Sequence, residues 1–121
     1  MGADAKDRAL VEMWNRRMEL ELLGPIGRAM QHTNPLFKAF MLQFPEYGAV
    51  QNEIAHQRLV RLDSELKDRE FIAGERFTIA DITALVAVDL RATLGGIPMP
   101  GNLPNLARWH AAVSSRPSAK A

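Results

Sequence analysis

Residues 77–88 constrain this chain more than any other stretch. Phe77-Thr78-Ile79-Ala80-Asp81-Ile82 has the form of a capping box set inside a hydrophobic staple. Thr78 is read as the N-cap, its hydroxyl accepting from the backbone N–H of Asp81. The Asp81 carboxylate reaches back to the N–H of Thr78, with a shorter arm than the commoner Glu or Gln. Phe77 is expected to pack on Ile82. Residues 82–88 then run apolar on nearly every helical face, which predicts a centrally buried helix. The N–H groups at a buried helix start are out of reach of water, so the cap is structural rather than catalytic. Loss of Thr78 or Asp81 should cost about 1–2 kcal/mol or more.

The other periodic segments are helical too. Over residues 4–23, Val11, Trp14, Met18 and Leu22 form a stripe that Leu10, Met13, Leu20 and Leu23 widen, behind a cap at Asp4. An arc this broad implies contact on more than one side. Gly24-Pro25 predicts a kink, with helix resuming through Ile26, Ala29 and Met30 as far as Asn34-Pro35. Residues 36–44 read as one helical turn or a loop packed on the core. Residues 47–69 carry Ala55, Leu59, Leu62 and Leu66 on one face, with Arg61–Glu65 and Asp63–Lys67 as pairs on the wet side. A last helix begins near residues 102–104 and ends at Arg116-Pro117. No segment alternates apolar and polar residues over strand length, and no Asn-Gly or Asp-Gly hairpin signal occurs. The fold class is therefore all-α, and residues 1–121 read as one domain.

Composition narrows the chemistry. Fifteen Lys and Arg against fourteen Asp and Glu leave a net charge of +1, without the basic surplus of a nucleic-acid module. The absence of cysteine excludes disulfides, thiolate nucleophiles and Cys-based zinc sites. His32, His56 and His110 lack metal-ligand spacing and read as structural or surface residues, so no metal is expected. Asp89 follows an apolar run, and a salt bridge to Arg91 or Arg108 is expected to satisfy it. Trp14 and Trp109 read as core anchors. Residues 1–10 lack a signal-peptide apolar run, and residues 82–88 are too short to cross a bilayer, so the chain reads as cytoplasmic with no membrane partner.

The segment Phe71-Ile72-Ala73-Gly74-Glu75-Arg76-Phe77-Thr78-Ile79-Ala80-Asp81 closely resembles the loop-to-helix junction of cytosolic glutathione S-transferases. So does Leu103-Pro104-Asn105-Leu106 followed by Trp109 and Arg116-Pro117-Ser118. The opening Arg8-Ala9-Leu10-Val11-Glu12-Met13-Trp14 resembles the first helix of that family's C-terminal domain. The resemblance covers nearly the whole chain and implies the C-terminal-like helical bundle, with no thioredoxin-like domain among these residues.

It implies a function in two parts. In the family, a thioredoxin-like domain holds most of the glutathione site and the Ser, Tyr or Cys that stabilises the thiolate. Tyr47, Ser64, Ser114, Ser115 and Ser118 are not placed at the end of a first strand, so this chain alone is expected to lack efficient conjugation. Matching along Ala9–Met13 puts Ile26 and Met30 at positions that line the electrophile pocket, core packing being the alternative. Glu19 falls beside a place where some members offer a carboxylate to glutathione's amino group across the dimer, a solvated charge being the alternative. The implied partners are a second copy or a thioredoxin-like domain. Glutathione enters as co-substrate of the parent enzyme and no cofactor is implied. The competing function is a stand-alone module for protein–protein docking, of the kind appended to elongation factors and aminoacyl-tRNA synthetases. A third is a degenerate protein that binds hydrophobic ligands without catalysis.

Overall fold

The computed structural model describes residues 4–120. The expected domain limits at residues 1 and 121 lie outside them. The described residues form five α-helices: α1 (Ala5–Met18), α2 (Gly24–Thr33), α3 (Pro45–Glu65), α4 (Ile79–Thr93) and α5 (Pro104–Ser114). Among the described residues there is no strand, only an isolated bridge between Phe71 and Gly74.

The first helix and the second are one continuous rod joined by a π turn, Glu19–Leu23. Pro25 explains it. A proline ring collides with the carbonyl four residues back, and its nitrogen has no hydrogen to donate. Widening the preceding turn relieves both problems, and the N–H of Gly24 now bonds the carbonyl of Glu19. Asp4 caps the start, its carboxylate accepting from the N–H of Asp7 at 2.8 Å.

Residues 36–44 do not pack on the core as a unit. Pro35–Phe37 is a single 3-10 turn, and Phe37 alone of the three touches the core. Phe40 and Leu42 stand exposed. The backbone behind them is braced, because Gln43 donates to the carbonyls of Gln31 and Asn34. The third helix begins at Pro45 and ends at Glu65, four residues short of the expected Arg69. Its C-terminus is closed by Arg108, which donates to the carbonyls of Leu66, Arg69 and Glu70.

The core is a single cluster. Met18 and Leu22, Ile26 and Met30, Leu59 and Leu62, Ala84 and Val88, and Leu106 and Trp109 all belong to it. Gly48 lets α3 lie against α2. A Cβ there would sit 2.5 Å from Thr33 Cγ2 and 3.3 Å from the carbonyl oxygen of Ala29.

The fourth helix corrects the sequence reading. Its inner face, with Ala80, Ala84, Ala87 and Val88, is sealed. Its outer face is not: Ile79, Ile82 and Val86 are 38%, 45% and 50% exposed. The described residues cover only one side of this helix.

Candidate functional site

Asp81 is the hub of the molecule. It is fully buried, and three N–H groups converge on its carboxylate. Oδ2 accepts from the backbone of Thr78 at 2.9 Å, completing the capping box with the Thr78 hydroxyl. Oδ1 accepts from the backbone of Ile72 at 2.9 Å and from the Trp109 indole at 2.8 Å. One side chain thus ties the loop before α4, the start of α4 and the middle of α5 together. A buried carboxylate is tolerable only when so satisfied. All three of its bonds hold backbone or core groups in place, which makes Asp81 structural.

Phe77 and Ile82 both border an open groove of about 470 Å3 beside α4 and α5. The ring of Phe77 meets Phe71 edge-on, and the Arg116 guanidinium lies 3.9 Å from its centre. The groove is apolar, with Leu85, Val86 and Leu90 in its walls and the Asp89 carboxylate at its edge.

Asp89 does not pair with Arg91 or Arg108. Its Oδ1 lies 2.8 Å from Nε2 of His110, because α4 places it toward α5 while Arg91, two residues on, points inward. The Ser114 hydroxyl also approaches, at 3.5 Å, but toward the same Nε2. A catalytic relay needs base and orienter on opposite ring nitrogens, so these three residues do not form one. Three further hydroxyls are spent on helix carbonyls: Thr33 on Ala29, Thr93 on Asp89, Ser115 on Ala111.

Arg91 is 4% exposed, and its Nε and Nη1 have no hydrogen-bond partner. Burial pushes this guanidinium below the usual arginine range, with Glu53 pulling the other way.

Ile26 and Met30 lie inside the core, 1% and 7% exposed, and neither borders the groove beside α4. Glu19 sits at the start of the π turn and pairs on the surface with Arg16, at 3.2 Å. Trp14 is buried, with the guanidinium groups of Arg17 and Arg69 at 4.6 and 4.4 Å from its ring. Trp109 is fully buried. Among the described residues, no group of three or more His, Cys, Asp or Glu side chains could hold a metal, and no helix is long and apolar enough to cross a membrane.

Sequence reasoning missed the inward role of Asp63. Its carboxylate accepts from the N–H of Leu106 at 2.8 Å, capping α5 from the neighbouring helix rather than pairing with Lys67. The fifth helix has Leu103 at its N-cap position and no side-chain cap of its own, which was the available signal. Arg58 was missed as well. It falls in the apolar register of α3 beside Ala55, Leu59 and Leu62, where a charge needs partners, and it finds Glu21 at 2.8 Å and Glu65 at 2.9 Å.

The sequence profile of the glutathione S-transferase C-terminal domain matches residues 26–117, most of the chain. The chain belongs to that family. Glutathione S-transferase 2 of Saccharomyces cerevisiae is 29% identical over 121 residues, covering 98% of this chain and 52% of the yeast protein. The crystal structure of yeast Gtt2 superposes with a TM-score of 0.88 at 28% identity, covering 98% of this chain and 58% of that one. A glutathione S-transferase domain-containing protein of Marinobacter aquaeolei VT8 gives a TM-score of 0.85 at 35% identity, covering 98% and 58%. A class Gtt2 transferase of Vibrio parahaemolyticus gives 0.85 at 28%, covering 99% and 56%. This glutathione S-transferase C-terminal domain therefore spans little more than half the length of the relatives it matches.

Proposed function

We propose that this chain is the helical half of a glutathione transferase whose complete form conjugates glutathione to small hydrophobic electrophiles. The outer face of α4 carries the reading. Ile79, Ile82 and Val86 stand in water on a helix whose other side is sealed. Apolar side chains repeating along one helix face are the surface a second domain covers. The half-length match to full transferases supports a thioredoxin-like domain as that cover.

On this reading the thioredoxin-like domain supplies the group that holds sulfur as thiolate, and glutathione is the co-substrate. The helical half contributes shape and apolar surface. Ile26 and Met30 support the electrophile pocket. Glu19, which lies on the surface, offers its carboxylate to the amino group of glutathione bound to a second copy in a homodimer. A cytoplasmic setting belongs to the same proposal.

The test joins the chain to the thioredoxin-like half of the Marinobacter relative. The fusion should conjugate glutathione to 1-chloro-2,4-dinitrobenzene, while the chain alone stays at the uncatalysed rate. A chain that turns over by itself, or a folded fusion that remains inert, would overturn the proposal.

A further inference from the structure

The start of α3 takes its cap from another helix. Phe44 is the N-cap residue, and its own side chain makes no capping bond. In a capping box the side chain at the third helical position returns to the N–H of the N-cap, as Asp81 does for Thr78. In α3 that position is Tyr47, and the N–H of Phe44 goes instead to His32 in the last turn of α2, whose Nδ1 accepts it at 3.0 Å. Tyr47 meets the same ring edge-on, with 5.0 Å between centres, and Phe44 lies tilted against it at 5.9 Å. An imidazole nitrogen that accepts carries no hydrogen, so this geometry requires a neutral His32 with its hydrogen on Nε2. The preceding residue completes the closure. Gln43 donates to the carbonyls of Gln31 and Asn34, at 3.0 and 2.7 Å. Residues 35–44 are thus shut into a loop by Gln43 and Phe44 at one end and by the last residues of α2 at the other.

We propose that His32 is a pH-sensitive latch, which holds this loop closed when neutral and releases it when protonated. Imidazole is the side chain that ordinarily changes charge between about pH 5 and pH 8. A proton taken up by His32 goes to Nδ1, the ring nitrogen with the free lone pair, and turns the acceptor into a donor. The N–H of Phe44 then faces another N–H, and the bond is lost as pH falls. The groups around the ring do not offset the new charge. Lys38, the one charged residue of positions 34–44, is itself a cation. From α3 the phenol of Tyr47 meets the ring, and the neighbouring Glu46 is exposed. Among the described residues no carboxylate lies within ion-pair distance of His32. Release also gives up little apolar burial, because Phe40, Leu42 and Phe44 are 84%, 76% and 56% exposed while the loop is closed. The latch uses none of the residues assigned to conjugation, so it stands or falls apart from the transferase reading.

The test is backbone 15N relaxation on the purified chain, taken from about pH 8 down to about pH 5 while the His32 ring signals are followed. In the wild type, order parameters of residues 40–44 should fall from about 0.85 to below about 0.6 as His32 takes up its proton. His32→Asn puts an amide oxygen where Nδ1 stood and cannot titrate, so its loop should stay ordered at both ends of the range. His32→Phe has no acceptor, so its loop should be loose at both. His56 and His110 are kept in both variants, and a response owed to them would survive either change. Amide signals of α4 and α5 report that each variant is folded. Order parameters that stay high throughout the wild-type titration would overturn the proposal. So would a His32→Asn variant that loosens in acid as the wild type does, or a His32→Phe variant as ordered as the wild type at the alkaline end.

Discussion

Trp109 donates its indole N–H to the Asp81 carboxylate at 2.8 Å, across 28 residues of sequence. The bond joins the first turn of α4 to the middle of α5, and it makes the helix cap a tertiary contact as well as a local one. Asp81→Ala should therefore cost more than an ordinary cap. It strands three buried N–H groups, and a loss of about 4 kcal/mol is expected in urea unfolding. Trp109→Phe removes one of the three and should cost about 2 kcal/mol. The double variant should cost less than the sum, since the shared bond can be lost only once.

The pair Asp89–His110 has a similar bond length and a different environment. Asp89 is half exposed, its side chain at 53%. Asp89→Ala should change stability by less than about 1 kcal/mol. Thermal melts of this variant and of Asp81→Ala, run side by side, separate a screened surface pair from a buried hub.

Gly48 and Gly27 should respond in opposite directions to alanine. Gly48→Ala drives a methyl into Thr33, whose hydroxyl is held on the Ala29 carbonyl, and should destabilise by about 1–3 kcal/mol. Gly27 lies within α2, where a Cβ would meet nothing within 4 Å. Gly27→Ala should stabilise by up to about 1 kcal/mol. Denaturation midpoints of the two variants check both signs.

Arg91→Met replaces a buried cation that has two unpartnered donors by an apolar chain of comparable length. The expected result is a gain of about 1 kcal/mol, measured by chemical unfolding near neutral pH. Burial lowers the pKa of Arg91 in the folded state. Its charged form therefore penalises folding below that folded pKa, and the penalty is relieved only as pH rises through it toward the ordinary arginine value. Substitution should accordingly help throughout the neutral range.

Without a covering domain, the outer face of α4 should drive self-association. Sedimentation of the wild-type chain is expected to yield oligomers. Ile82→Ser combined with Val86→Ser should shift it toward monomer without loss of helix, because both side chains already face water.

Much of this was legible in sequence because it is local. The capping box lies within four residues, and the apolar stripe of α3 repeats within one helix. The unread part depends on distance along the chain. Nothing near Asp81 announces Trp109, and nothing near Leu106 announces Asp63 as its cap. The exposure of Ile82 was misread for a different reason. Hydrophobicity on every face of a helix does not say that these residues supply a cover for each face. Ile26 and Met30 illustrate the same point: at helical spacing, core packing and a pocket wall leave one signature.

The π turn at Glu19–Leu23 fixes an angle as well as accommodating a proline. It holds one residue more than regular winding would need, and each residue of an α-helix turns the chain by about 100°. Deleting a single residue from this stretch would swing everything beyond it round the rod axis by that amount, taking Ile26 and Met30 out of the interior and bringing polar neighbours in. These five residues act as the molecule's phase setting.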